Sequence, residues 1–198
     1  MTRLRIPKQA RSQQTWNRLL DAAGELLEEV GVERISTNMV AERAGVTPPT
    51  LYHYFPDKYA LLQTLGERLM ETQNALVSLD PTQGDAAIAR VLIEHVELTR
   101  STPGGPWVTR MLRAVPQLAE VRLASHRELA DSIANRLLEF DATQDPRVVA
   151  NRARLAIDVG YAAVELALEE PELDPVQMMQ DTAGAIRSIL RLPDEPGT

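Results

Sequence analysis

Trp16, Leu19, Leu20, Ala23, Leu26, Leu27 and Val30 recur at steps of three and four, the repeat of one helix face. Residues 12–30 therefore form an amphipathic helix, and Gly31 stops it. No apolar–polar alternation of strand type occurs anywhere in the chain. Glycine, proline and short polar breaks instead divide the rest into helices over 37–44, 48–54, 58–76, 83–100, 106–113, 117–140, 146–170 and 174–191. The predicted fold class is all-α, with a three-helix head on a larger helical body. Three regions are expected: a head over 1–57, a body over 58–192 and a disordered tail over 193–198.

The second and third helices are the informative pair. Val40, Ala44, Val46, Leu51 and Tyr54 all point inward if helix 37–44 turns sharply into helix 48–54. Ala41 is small enough for close approach, and Gly45 supplies the positive φ that such a turn demands, which is helix-turn-helix spacing. Thr47 is placed to cap the second helix. Pro48 and Pro49 take its first positions, where backbone N–H groups have no intrahelical partner. Pro56 pushes Phe55 out of helical geometry, and Asp57 caps the helix beginning at residue 58. Thr47, Thr50, Tyr52 and His53 are left on the outer side, hydroxyls and an imidazole suited to phosphate oxygens and base edges. A plain connector with incidental aromatics would not require cap, turn and core spacing to agree.

Charge changes the picture once it is divided along the chain. The net charge is −7, yet residues 1–20 hold Arg3, Arg5, Lys8, Arg11 and Arg18 and no acid. Residues 21–60 carry −4 and the 138 beyond them carry −8, so a cationic arm precedes an acidic body. The absence of cysteine excludes disulfides and thiolate metal sites. No run approaches the roughly 20 apolar residues of a membrane span, so no membrane partner and a cytoplasmic location are expected.

The segments "LLDAAGELLEEVGVERIS", "VAERAGVT" and "TLYHYFPDKYALL" within residues 12–65 resemble the DNA-binding head of the tetracycline-repressor (TetR) family. The resemblance implies a homodimeric, ligand-responsive transcription regulator, usually a repressor, whose partners are double-stranded operator DNA and a small-molecule effector. It makes 48–54 the reading helix, with Pro48, Pro49, Thr50, Tyr52 and Tyr54 at its DNA-facing positions. Thr37 and Asn38 match contact positions on the preceding helix, and Lys58 matches a phosphate-binding lysine. Asn38 stands where a basic residue is frequent in the family, and Met39 where an acid often completes a capping box behind Ser36.

Beyond residue 76 the body is read from its own pattern. On helix 146–170, Ala153, Ala156, Gly160, Ala163 and Ala167 form a stripe of small residues beside a second stripe of Ile157, Tyr161, Val164 and Leu168. Val176, Met179, Ala183, Ile186 and Leu190 repeat the spacing on the last helix. Two such helices per chain predict a symmetric four-helix dimer interface through the small-residue stripe; the alternative is that both stripes are internal core. The helices over 58–140 are expected to enclose a small-molecule site, with Trp107, Met111, His126, His95 and Tyr161 as candidate ligand contacts on apolar walls. Asp158 and Glu165 could hold a cation, but Arg154 four residues before Asp158 accounts for that acid as an ion pair.

The residues for catalysis are not assembled. Three histidines, no HExxH, no phosphate-cradling glycine loop and no serine elbow leave no nucleophile with its base, so no enzyme, cofactor or metal is expected. A helical small-molecule-binding or adaptor protein without DNA is the competing class, and it leaves the surface over 47–58 unexplained.

Overall fold

The computed structural model describes residues 4, 7–78, 80–170 and 172–193. Its helices are α1 (Ala10–Arg34), α2 (Thr37–Arg43), α3 (Pro48–Tyr54), α4 (Lys58–Asn74), α5 (Asp85–Ser101), α6 (Gly105–Ala114), α7 (Ala119–Phe140, preceded by a 3-10 turn at Pro116–Leu118), α8 (Pro146–Glu169) and α9 (Pro175–Leu190). No strand occurs among the described residues. Arg3, Arg5 and the tail beyond Pro193 lie outside them. Gly31 interrupts α1 with φ 76° and ψ 167°, a conformation open essentially to glycine alone, so the regular helix does end where the pattern ended it.

The chain divides into two compact units, Met1–Met70 with Arg100–Arg122, and Glu71–Thr99 with Leu123–Thr198. The first unit thus extends beyond the expected head at 1–57, taking in most of α4 and all of α6. Its core is built from α1 (Trp16, Leu19, Leu20, Leu27), α2 and α3 (Val40, Leu51) and α4 (Leu61, Leu62, Leu65), all buried. α1 also meets the turn before α6 backbone to backbone: an ideal Cβ on Gly24 would lie 2.3 Å from the Pro103 carbonyl oxygen. Gly66 leaves similar room for Leu112, whose Cδ2 would stand 2.7 Å from an added Cβ. Arg68 and Asp21 tie α4 to α1 at 2.8 Å.

In the second unit α8 and α9 pack together, which corrects the expected dimer stripe. Ala153, Ala156, Gly160 and Ala167 are buried within the unit and Ala163 is half-buried, while Met179, Ala183, Ile186 and Leu190 of α9 are buried beside them. Gly160 shows the physical reason: an added Cβ would already touch Leu92 Cδ2 at 3.4 Å and Ile186 Cδ1 at 3.5 Å. The small side chains make room for α5 and α9 of the same chain. Val176 alone among the expected α9 residues is well exposed, at 49%. The apolar residues that α8 leaves to solvent are Val148, Leu155 and Leu166, on a third face. An N-cap aspartate starts each of these helices: Asp145 accepts from Arg147 N at 2.8 Å, and Asp174 from Val176 N at 2.9 Å.

Candidate functional site

The turn between α2 and α3 ends α2 by two reverse hydrogen bonds. Val46 N donates to Ala41 O at 2.9 Å and Gly45 N to Glu42 O at 3.0 Å, with Gly45 at φ 64°. This Schellman arrangement needs the left-handed residue that glycine supplies. Ser36 caps α2, accepting from Met39 N at 3.3 Å. Arg43, at the other end, grips both Glu29 oxygens at 2.8 and 2.7 Å and Glu25 at 3.2 Å. The Arg43 hydrogen bonds hold the Glu29 carboxyl below its usual range, so this cation is committed to α1.

Thr47 occupies the N-cap of α3 but makes no side-chain bond to the helix backbone, a departure from the capping expected of it. Pro48 and Pro49 are the cause, since they remove the first two N–H groups and leave Thr50 N to the Thr47 carbonyl at 2.9 Å. The Thr47 hydroxyl instead pairs with that of Thr50 at 3.0 Å. On the inner side, Leu51 and Phe55 are fully buried, and Phe55 packs on Trp16 with centroids 4.4 Å apart. Tyr54 is half-buried and meets Trp16 nearly at right angles, with ring centroids 6.0 Å apart, so it belongs partly to the core.

What remains outside is one contiguous polar surface. Tyr52 is 49% exposed, and its hydroxyl lies 2.9 Å from Thr37 Oγ1, so the expected contact residues of α2 and α3 share a face. Asn38, Thr47, Pro48, Pro49 and His53 are exposed as well. Lys58 sits differently from a free phosphate-binding lysine: its Nζ donates to Val32 O at 2.8 Å and Glu33 O at 3.4 Å, fastening α4 to the end of α1. An ammonium has three protons, so one donor remains for a phosphate.

The second unit holds a cavity of about 90 Å³, lined by Leu92, His95, Ile133, Gly160, Tyr161 and Val164 among others. Of the five expected ligand contacts, His95 and Tyr161 line it. His126 stands behind Tyr161, the rings stacked at 4.0 Å, with Nδ1 2.8 Å from Asp158 Oδ1. Burial opposes ionisation of Asp158, but hydrogen bonds from Arg154 and His126 outweigh it and hold the carboxyl below its usual range. Trp107 and Met111 belong to the first unit and do not line this cavity: Trp107 is 38% exposed under the Arg110 guanidinium, and Met111 is core. Burial pushes the His95 pKa down to about 4, with His126 adding to the effect, so His95 is neutral at pH 7. The Tyr161 hydroxyl, pushed up by burial, donates to Asn74 Oδ1 at 3.0 Å, and Asn74 Nδ2 donates to Ser125 Oγ at 2.9 Å. The Asn74 contact, and the cavity wall supplied by Val77, Ser78 and Gln83, were invisible to periodicity, because they join segments far apart in sequence.

Two short helices crossing at a glycine turn, with a polar outer face on the second, define a helix-turn-helix DNA-binding protein. Residues 19–65, the helix-turn-helix and the helices on either side of it, match the family of bacterial regulatory proteins, tetR family. The transcriptional repressor LfrR of Mycolicibacterium smegmatis is 28% identical over 181 residues, covering 88% of this chain and 92% of the relative. The nucleoid occlusion factor SlmA of Haemophilus ducreyi is 29% identical over 112 residues, and there the match spans only about half of each chain, 55% and 54%. The structure of Salmonella enterica GusR superposes with a TM-score of 0.73 over 93% of this chain and all of that one at 19% identity, a likeness of fold. No helix among the described residues is long and apolar enough to cross a membrane.

Proposed function

We propose that the protein is a homodimeric repressor in the cytoplasm that holds operator DNA through the face shared by Thr37 and Tyr52 and releases it when a small molecule enters the second unit. The observation that carries this reading is the α3 surface: Leu51 and Phe55 are buried while Thr47, Tyr52 and His53 are exposed, and Tyr52 is braced by Thr37. No catalytic role is assigned to it. An adaptor without DNA would have no use for a helix begun by two prolines and braced in this way.

In the proposed mechanism each copy sets α3 in a major groove, the two heads about 34–36 Å apart, one DNA turn. The last residue of α4, Asn74, is hydrogen-bonded to Tyr161 of the cavity wall. A ligand that displaces Tyr161 therefore acts directly on α4. By linkage, bound DNA weakens ligand binding by the same factor as ligand weakens DNA binding.

The reading is tested by gel shift on the DNA upstream of the protein's own gene. Thr50→Ala and Tyr52→Ala should each weaken specific binding about 5- to 100-fold, with a smaller loss on random DNA, as expected for side chains that read bases. Equal affinity for both DNAs before and after substitution would refute the placement. Lys58→Ala should act in two separable ways. Loss of the bonds to Val32 and Glu33 should cost about 1–2 kcal/mol of stability, read in a thermal melt. Loss of one phosphate contact should reduce the slope of log affinity against log salt by about one unit on any sequence.

A further inference from the structure

The wall of the cavity in the second unit is mainly apolar, with Ser78, Asp80, Gln83, His95 and Tyr161 as its polar side chains, and one ring nitrogen of His95 is unused. His95 is 3% exposed, and among the described residues its Nε2 has no hydrogen-bond partner. Leu92, Leu129, Ile133 and Val164 around the cavity offer it none. Tyr161, whose ring meets the imidazole edge-on at 5.0 Å, has already given its hydroxyl proton to Asn74. A buried polar group left in this state costs about 1–3 kcal/mol, which a ligand with the right partner group recovers.

The chemistry of that partner follows from the imidazole and its surroundings. Held neutral by burial, the ring has one nitrogen that donates and one that accepts. A hydroxyl both donates and accepts, so it satisfies His95 in either tautomer. A carboxylate would enter without a counter-charge, and it would meet Asp80, the one carboxylate among the lining residues. Hydrogen bonds from the Thr82 hydroxyl and backbone N–H hold Asp80 ionised. Asp80 is only half-buried and its Oδ1 accepts both of those bonds, at 2.7 and 2.9 Å, so the buried imidazole, not this carboxylate, sets the polar end of the ligand. The volume, about 90 Å³, is below the roughly 150 Å³ of an apolar protein cavity that takes benzene, so the occupant is a single ring or short chain admitted by slight opening of the wall.

We propose that this cavity binds a small, uncharged, mainly apolar molecule bearing one hydroxyl, of the phenol or short-alcohol type, and that His95 selects the hydroxyl. The inference rests on reading the cavity as the effector site, and it is tested so that the two can fail separately. Phenol, toluene and benzoate are titrated calorimetrically at pH 7 into the full-length protein. Phenol and toluene have nearly the same shape and differ in the hydroxyl; benzoate adds the charge. Phenol should bind about tenfold more tightly than toluene, and benzoate should not bind.

His95→Leu should bring phenol and toluene to parity, while His95→Gln, which retains hydrogen-bonding groups, should keep part of the preference; circular dichroism establishes that both variants fold. Gly160→Leu, which fills the cavity from α8, should abolish binding of phenol. The proposal is overturned if toluene equals phenol on the unaltered protein, if neither binds, if benzoate binds more tightly, if the preference survives His95→Leu, or if phenol binding survives Gly160→Leu. A gel shift with and without phenol addresses the other question: His95-dependent binding that leaves DNA affinity unchanged upholds the ligand class and removes the effector role of the site.

Discussion

Gly24→Ala is expected to lower the melting temperature by about 6–12 °C, although it adds only one methyl group. On propensity alone the change should stabilise, since alanine is favoured over glycine inside a helix by about 1 kcal/mol. Packing reverses the sign. The new Cβ would lie 2.3 Å from the Pro103 carbonyl oxygen and 3.0 Å from its carbon, atoms of a backbone that cannot rotate away. The turn cannot retreat easily either, because Gly104 follows at φ 65° with its own ideal Cβ position 2.1 Å from the Gly24 oxygen. Overpacking of this kind costs on the order of 3 kcal/mol, and at 2–4 °C per kcal/mol in a chain of this size the stated shift results. Gly184→Ala in α9 is the control. Its added Cβ meets only Asp85 Oδ2 at an ordinary 3.8 Å, so propensity should prevail and the melt should rise slightly. Equal melts for the two variants would show that α1 and the turn before α6 are not in fixed contact.

Gly24 also marks the limit of what was legible in the sequence. The helices and the α2–α3 turn could be read because their causes are local: a periodic apolar face, a glycine at φ 64°, two prolines that begin α3. Nothing local says why position 24 is glycine, since the reason is Pro103, 79 residues further along. The same blindness explains the small-residue stripe on α8. Periodicity establishes that Ala153, Ala156 and Gly160 share a face, but not whether that face meets another copy or α5 and α9 of its own chain. Leu92 and Ile186 against Gly160 decide for the second. Lys58 was read by resemblance as a phosphate contact, and its bonds to the end of α1 depend on where Val32 and Glu33 fall in space. His95 and Tyr161 line the cavity, and a polar group on an apolar helix face is visible in sequence; Trp107, expected there as an aromatic contact, is 38% exposed and belongs to the first unit.

Leu155→Glu, alone or with Leu166→Glu, is expected to separate the dimer and with it to abolish tight operator binding. Val148, Leu155, Val159, Ala162 and Leu166 follow one another at steps of 7, 4, 3 and 4 along α8, a single face about 27 Å long. Leu155 at 55% and Leu166 at 39% are the most exposed leucines of that helix, and they face away from the side of Ala153 and Gly160 that the chain itself buries. One exposed leucine is ordinary, whereas a row at heptad-like spacing is the form a helix-pair interface takes. Across a two-fold axis each substituted copy brings its carboxylate against an apolar patch and near its twin, which should weaken association about 100-fold or more, on the order of 3 kcal/mol. The subunit itself should melt almost unchanged, because neither side chain belongs to its core. Sedimentation should then show monomer at concentrations where the unaltered protein is dimeric, and the gel shift should lose the operator complex although no DNA-facing residue was touched. Gly160→Leu separates this surface from the earlier stripe, since it should block the cavity and leave the dimer intact. A Leu155→Glu protein that remains dimeric, with Gly160→Leu monomeric, would return the interface to the small-residue face.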